Sequence, residues 1–247
     1  MGKEIERKFL VDVAKLKEDP NPRTERSHLL EQFYLSNDPW VRVRLVTQIR
    51  GRTEPPFIAY LTIKGPGNLS RDEFEYTIPV DDAIAMREMG KGVIEKVRYH
   101  VPFGGHTWDV DYFQKPFDNF WLAEVELKSV EEPFEKPPWA LEEVSYDFRY
   151  SNAWLIKHGP PPPGSSLKDI EKLVRWRENT SDYSGDDLRS IVRHDLTRPN
   201  DRVPDELKST HEAFLKMGDD AQEALIEALI PGDSYEYEGE EPDDDDA

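Results

Sequence analysis

The chain has 247 residues, no cysteine and a formal net charge of −19, with 34% of its residues charged. That length suits one large domain or two small ones, and the missing cysteines exclude disulfides and thiolate metal sites. The acidic balance argues against nucleic-acid binding, which needs a basic surface, and no apolar run is long enough to cross a bilayer. The first residues read as a charged strand and not as a signal peptide, so the expected location is cytoplasmic.

Residues 1 to about 158 are dominated by period-two alternation. The series runs Glu4-Ile5-Glu6-Arg7-Lys8-Phe9, a strand over 28–36, Val41-Arg42-Val43-Arg44-Leu45, Tyr60-Leu61-Thr62-Ile63-Lys64 and Asp72-Glu73-Phe74-Glu75-Tyr76. It continues through Glu95-Lys96-Val97-Arg98-Tyr99, Trp108-Asp109-Val110-Asp111-Tyr112 and Ala123-Glu124-Val125-Glu126-Leu127. Such alternation gives each strand one apolar face. Turns are expected at Gly51, Pro55-Pro56, Gly65-Pro66-Gly67 and Pro116, and the Gly104-Gly105 pair predicts a tight hairpin. Short helices are expected at 12–18 and 81–89. A longer one is expected to begin near 140 or 150 and end before Gly159.

Residues 159–164, Gly-Pro-Pro-Pro-Pro-Gly, form a spacer that can continue neither helix nor sheet. Beyond it the period changes to a helical one. Four short helices are predicted, the first capped at Ser165-Ser166, the second behind Asp186-Asp187, the third from Pro204 to Gly218, and the last behind Asp219-Asp220 up to Pro231-Gly232. Residues 165–235 thus read as a helical C-terminal region, able to serve a homodimer or a protein partner. Residues 236–247 read as a disordered acidic tail.

The polar faces of the strands carry paired charges instead of Thr, Ser and Gln. Closing eight such antiparallel strands into a barrel with the apolar faces outward would line the interior with carboxylates and cations together. The expected fold class is therefore α+β: an eight-stranded antiparallel closed barrel, or tunnel, over residues 1–158, with flanking helices and a C-terminal helical appendage. That lining suits metal ions holding a polyphosphate. Arg gives bidentate phosphate contacts and Lys a compact point charge, so Arg42, Arg44, Lys64, Lys96 and Arg98 suit phosphate oxygens. Carboxylates beside such an anion need hard divalent cations between, and Mg²⁺ or Mn²⁺ takes oxygen ligands. Glu4, Glu6, Glu124 and Glu126 are the candidate metal ligands, because closure sets the first strand beside the last. Glu73, Glu75, Asp109 and Asp111 are expected to hold the cations in place. Lys8, Tyr34 and Lys96 form the candidate catalytic set, with Lys8 and Tyr34 orienting nucleophile or phosphate. Arg149 either reaches the substrate or closes an ion pair. The six histidines show no metal-ligand spacing and read as structural or exposed. Phe9, Phe74, Tyr99, Trp108 and Tyr112 read as core.

The ordered set Glu4-x-Glu6-x-Lys8, Arg42-x-Arg44, Lys64, Glu73-x-Glu75, Lys96-x-Arg98, Asp109-x-Asp111 and Glu124-x-Glu126 resembles the CYTH superfamily, the triphosphate tunnel metalloenzymes. The stretch 143–153 resembles the family's closing helix. The resemblance covers residues 1 to about 158 and implies a metal-dependent triphosphatase acting on inorganic triphosphate or a related triphosphate, with the same four carboxylates as metal ligands. Two other readings stand beside it: a nucleotide- or polyphosphate-binding module without turnover, and nucleotide cyclisation, known in some relatives.

Overall fold

Strand-forming alternation translates directly into pairing. The computed structural model describes residues 2–19, 27–37, 39–49, 56–65, 70–114, 117, 119–180 and 185–230, and their strands are β1 (Gly2–Val11), β2 (Ser27–Asn37), β3 (Trp40–Gln48), β4 (Ile58–Lys64), β5 (Ser70–Ile78), β6 (Lys91–Phe103), β7 (His106–Phe113), β8 (Trp121–Glu126) and β9 (Ala140–Glu143). They form one nine-stranded antiparallel sheet in the order β5-β4-β3-β2-β6-β7-β8-β1-β9. Strand β1 serves several neighbours: Gly2–Ile5 pairs with β5, Glu6–Leu10 with β8, and Phe9 and Val11 with β9. The β6–β7 hairpin turns at Gly104 and Gly105, whose φ values of +58° and +82° are reached without cost only by residues lacking a Cβ.

Apolar outer faces are covered by short helices. α1 (Val13–Glu18), with Asp12 accepting from the amides of Ala14 and Lys15, sends Leu16 into a cluster with Phe9, Trp108, Val110 and Val125. α2 (Val80–Met86), continued by a 3₁₀ turn at Arg87–Met89, places Ala83 against Phe33, Val43, Leu45 and Ala59. α3 (Asn152–His158) puts Leu155 into a third cluster with Ile94, Phe113 and Leu122. Those three strand residues share the polar-side parity, so one end of the charged face is floored by apolar groups.

Two expectations need correcting. The stretch 143–153 is not one helix: of the two helix starts expected, near 140 and near 150, the second holds, since residues 140–143 are strand β9, a 3₁₀ turn covers Phe148–Tyr150, and the helix starts at Asn152, where Ser151 accepts from the amide of Trp154. Ala-Leu-Glu-Glu favours a helix by propensity, but the edge that β1 offers at Phe9 and Val11 prevails. Phe74 is not core. It is 37% exposed on the outer face of β5, whereas Phe9 and Trp108 are buried. α2 packs on β3 and β4, and its cluster reaches β5 at Ile78, four residues from Phe74.

Residues 161–247 make a second compact unit. Its helices are α4 (Leu167–Asn179), α5 (Gly185–Leu196), α6 (Lys208–Leu215) and α7 (Asp219–Leu229). Ser166 caps α4, Arg177 of α4 pairs with Asp195 of α5 at 2.5 Å, and Ile170, Leu173, Val192, Phe214 and Leu225 are fully buried. Among the described residues no helix is long and apolar enough to cross a membrane. The turns expected at Gly51, Pro55, Pro66-Gly67 and Pro116, and the acidic tail 236–247, lie outside the described residues.

Candidate functional site

Directly opposed residues in an antiparallel pair stand on the same side of the sheet. Following the register from strand to strand therefore collects one face. Glu6 opposes Glu126 and Lys8 opposes Glu124; Glu124 opposes Asp109, Asp109 opposes His100, and Asp111 opposes Arg98. Across β6 and β2, Arg98 opposes His28 and Lys96 opposes Leu30; across β2 and β3, Gln32 opposes Arg44 and Tyr34 opposes Arg42. Farther on, Arg42 opposes Thr62, Trp40 opposes Lys64, Thr62 opposes Glu75, and Lys64 opposes Glu73. Glu4 occupies the β1 position two residues before Glu6 and opposes Arg71 by backbone register; its side chain lies outside the described residues.

On this face the side chains form two ionic networks. In the first, Lys8 Nζ reaches Glu124 at 2.5 Å and Glu6 at 2.6 Å. Arg98 donates Nε and Nη2 to the two oxygens of Asp111 at 2.7 Å each, Nη1 to Asp109 at 2.6 Å and Nη2 to Glu124 at 2.8 Å. Lys96 Nζ donates to Asp111 at 2.5 Å and lies 5.4 Å from the Phe113 ring centroid. Asp109 also accepts from Nδ1 of His100 at 2.7 Å, and Nε2 of His100 faces Nδ1 of His28 at 3.3 Å. In the second network, Lys64 pairs with Glu73 at 2.8 Å, Arg42 donates to Thr62 at 3.1 Å and to Glu75 at 3.4 Å, and Thr62 donates to Glu75 at 3.0 Å.

Between them lies Arg44. Its Nε makes no hydrogen bond, and among the described residues no carboxylate pairs with it. Burial, then Arg42 and Arg98, push its pKa down to about 10 despite Glu75 and Asp111. Burial likewise lowers Lys96 to about 8 against the attraction of Asp111. Burial alone would depress Arg98 and Lys8 too, but Asp111, Asp109 and Glu124 hold Arg98 well above its ordinary value, and Glu124 and Glu6 raise Lys8. Glu124, which burial would raise, is held well below the carboxylate range by Lys8, Lys96 and Arg98.

The register thus aligns Glu6, Lys8, Tyr34, Arg42, Arg44, Lys64, Glu73, Glu75, Lys96, Arg98, Asp109, Asp111, Glu124 and Glu126. Tyr34 is buried edge-to-face against Trp40, at a centroid distance of 5.5 Å, and Glu126 is exposed. Arg149 lies outside this register. It sits buried in the 3₁₀ turn before α3, its guanidinium bidentate on Asp147 at 2.8 and 2.5 Å. Besides Thr62, three residues of this face escaped sequence reasoning: Gln32, His28 and His100. All three hold the right parity, but a neutral amide and two unspaced histidines carry no charge signature. Among the described residues no three carboxylates or histidines stand at metal-ligating spacing.

The sequence matches the CYTH domain family over residues 2–158, and the chain belongs to that family. The resemblance read from the ordered charge pairs is therefore correct. An inorganic triphosphatase of Acetivibrio thermocellus is 39% identical over 163 residues, spanning 64% of this chain and 96% of that protein. One of Nitrosomonas europaea is 32% identical over 156 residues, spanning 62% and 95% respectively. A crystal structure of an inorganic triphosphatase aligns with a TM-score of 0.44 at 30% identity, over 65% of this chain and 98% of that one.

Proposed function

We propose that residues 1–158 hydrolyse inorganic triphosphate, or a related organic triphosphate, with Mg²⁺ or Mn²⁺, inside a tunnel formed by eight of the strands. The pairing of β1 with both β8 and β5 supports the tunnel. The observation that carries the reading is Arg44: a half-buried guanidinium with its Nε shut off and unmatched, on a carboxylate-rich face where none of the described carboxylates pairs with it. A buried cation without a counterion is unfavourable unless an anion arrives to compensate it. Arg42 and Arg98 act on it from the same face, and Lys64 and Lys96 share that face, which favours a highly charged anion. The names of the relatives point to the same substrate.

The donor chemistry fits a hard divalent ion. Glu6 and Glu124 already share one cation, the Lys8 ammonium, and Glu126 opposes Glu6. Glu4, Glu6, Glu124 and Glu126 would hold the ion, which when bound polarises the phosphate and lowers the pKa of water. Hydrolysis forms one P–O bond from water to the terminal phosphorus and breaks the bridging P–O bond, yielding orthophosphate and pyrophosphate. Arg42, Arg44 and Lys64 hold phosphate oxygens; Arg98 and Lys8 hold the carboxylates and adjust them when the anion binds. Lys96, deprotonating nearest neutrality, is the candidate for moving the proton of the attacking water.

Phosphate release from inorganic triphosphate, nucleoside triphosphates and thiamine triphosphate, each with Mg²⁺, Mn²⁺ or chelator, tests this. We expect release from one triphosphate class, lost in chelator; release unchanged by chelator removes the metal from the reading. Tight calorimetric binding without product under either metal would leave a binding module. The chemistry is assigned to the first unit, with 159–164 as linker, so a chain ending at His158 should retain turnover. Loss of turnover in a folded truncation would give residues 159–247 a part in the site.

A further inference from the structure

Gln32 belongs to no ionic network, yet it sits at the centre of the charged face. Its side chain is fully buried, and among the described residues neither Oε1 nor Nε2 has a hydrogen-bond partner. By register it opposes Arg44 on β3 and Ile94 on β6, so it stands between the unpaired guanidinium and the apolar floor of Ile94, Phe113, Leu122 and Leu155. A buried primary amide with no bonds is unfavourable, and a leucine of similar size would pack against that floor without the penalty. Two unsatisfied polar groups on adjacent positions of one face, Gln32 and Arg44 Nε, call for a shared ligand.

We propose that Gln32 is a direct ligand of the bound polyphosphate, its amide Nε2–H donating to oxygens of the phosphoryl group that Arg44 holds, while Oε1 accepts from Arg44 Nε–H. The inference rests on the function proposed above and adds a residue to its binding set. A neutral donor suits this position. Arg42, Arg44 and Arg98 already face one another, so a further cation would add repulsion, whereas an amide adds two donors and no charge. Its carbonyl oxygen, repelled by the anion, turns to the guanidinium, which fixes the plane of both groups. A purely structural glutamine would have found its partners within the protein, as the buried Gln222 does with the carbonyls of Phe214 and Met217.

The test uses the full chain with Mg²⁺ and imidotriphosphate, in which nitrogen replaces the bridging oxygens, followed by calorimetry and thermal unfolding. Gln32→Leu should unfold at the wild-type temperature or about 2–4 °C above it when free, because an unsatisfied amide has gone. Its affinity for the analogue should fall roughly ten- to a hundredfold, the loss of a hydrogen bond to a charged group. Gln32→Glu, isosteric but anionic, should pair with Arg44, again leave the free protein as stable, and weaken binding further. Wild-type affinity retained in Gln32→Leu overturns this inference alone, as does a free variant destabilised by several degrees, which would mean that the amide is satisfied internally. A wild-type chain that does not bind the analogue overturns the functional reading and this inference with it.

Discussion

Arg98 and Arg44 are the same residue type on the same face of the same sheet, and their surroundings differ as widely as those of two arginines can. Arg98 places its donors on Asp111, Asp109 and Glu124, and those carboxylates outweigh its burial. Arg44 has burial and two arginines against it, with Glu75 and Asp111 offsetting only part, and its Nε is unmatched. The strands from β6 to β1 thus form a neutralised network that holds carboxylates in fixed positions. At the β2–β3 pair, Arg44 keeps its positive charge and, with Gln32, its hydrogen-bonding capacity unused. A preorganised anion site needs both: a rigid frame whose charges cancel, and a gap whose charges do not.

The comparison makes opposite predictions for two identical truncations. Arg98→Ala leaves three buried or half-buried carboxylates without their shared cation and should destabilise the first unit by about 3–5 kcal/mol, read as a drop in the urea midpoint. Arg44→Ala removes a half-buried charge whose Nε is unmatched, so the free protein should be as stable as wild type or more so. Its kcat/KM for triphosphate should nevertheless fall by about 2–4 kcal/mol equivalent. Similar stability losses in both variants would show that Arg44 is structurally held after all and would remove the contrast. Glu124→Gln sharpens the frame side. It withdraws a partner from Lys8 and Arg98 together, so turnover should fall by orders of magnitude, and added Mn²⁺ should not restore it.

Much of this architecture is legible in the sequence because a strand writes its faces as a local period. Glu6, Arg42, Arg44, Lys64, Arg98 and Glu124 are all found by counting in twos. What the chain does not write locally is who stands across from whom. That Arg98 meets three carboxylates and Arg44 meets Gln32 depends on register between strands brought together by loops, and no single segment encodes it. Gln32 and His100 have the right parity but no charge to mark them. Strand β9 was hidden for a related reason: its pairing edge on β1 overrides a helical tetrapeptide. Phe74 alternates like a core residue, but alternation cannot say whether a helix will cover it.

A smaller effect probes the seam between the two regions. Lys96 lies beside the apolar floor, and burial brings its pKa from the ordinary 10.5 to about 8. Between those values the unfolded chain carries the proton and the folded one does not, so stability should rise with pH from about 8 toward 10.5. Below 8 both states are protonated and the buried charge lowers stability by a constant amount. Chemical denaturation of the wild type at pH 7 and pH 9.5 should show the gain, and Lys96→Met should be flat over the same window. If Lys96 also moves the proton of the attacking water, wild-type turnover should climb through the same region, and Lys96→Arg, which stays charged, should not follow it.

The smallest expected effect is at His28, the outer member of the Asp109–His100–His28 chain. A carboxylate can only accept, so Asp109 takes Nδ1–H of His100, leaving Nε2 of His100 to accept from Nδ1–H of His28. Both the neutral Nδ1–H tautomer and the imidazolium of His28 can make that donation, and the surroundings favour the neutral one. Its pKa is lowered from 6.5 by burial and by His100, with Arg98 adding to the shift and Asp109 opposing it. For a group depressed in the folded state, the stabilising contribution is complete above 6.5 and is lost as pH falls through the lower folded value, because the unfolded chain takes up the proton first. Half-exposure screens the effect, so the loss between pH 7.5 and 5.5 should stay below about 1 kcal/mol. Urea midpoints for wild type and His28→Asn at those two pH values isolate its contribution. An equal loss in both proteins would place the pH sensitivity elsewhere on the face. A loss confined to the wild type would show that the neutralised network extends through His100 to the edge of the Arg44 region, and that protonation can disturb the frame without touching the phosphate-facing arginines.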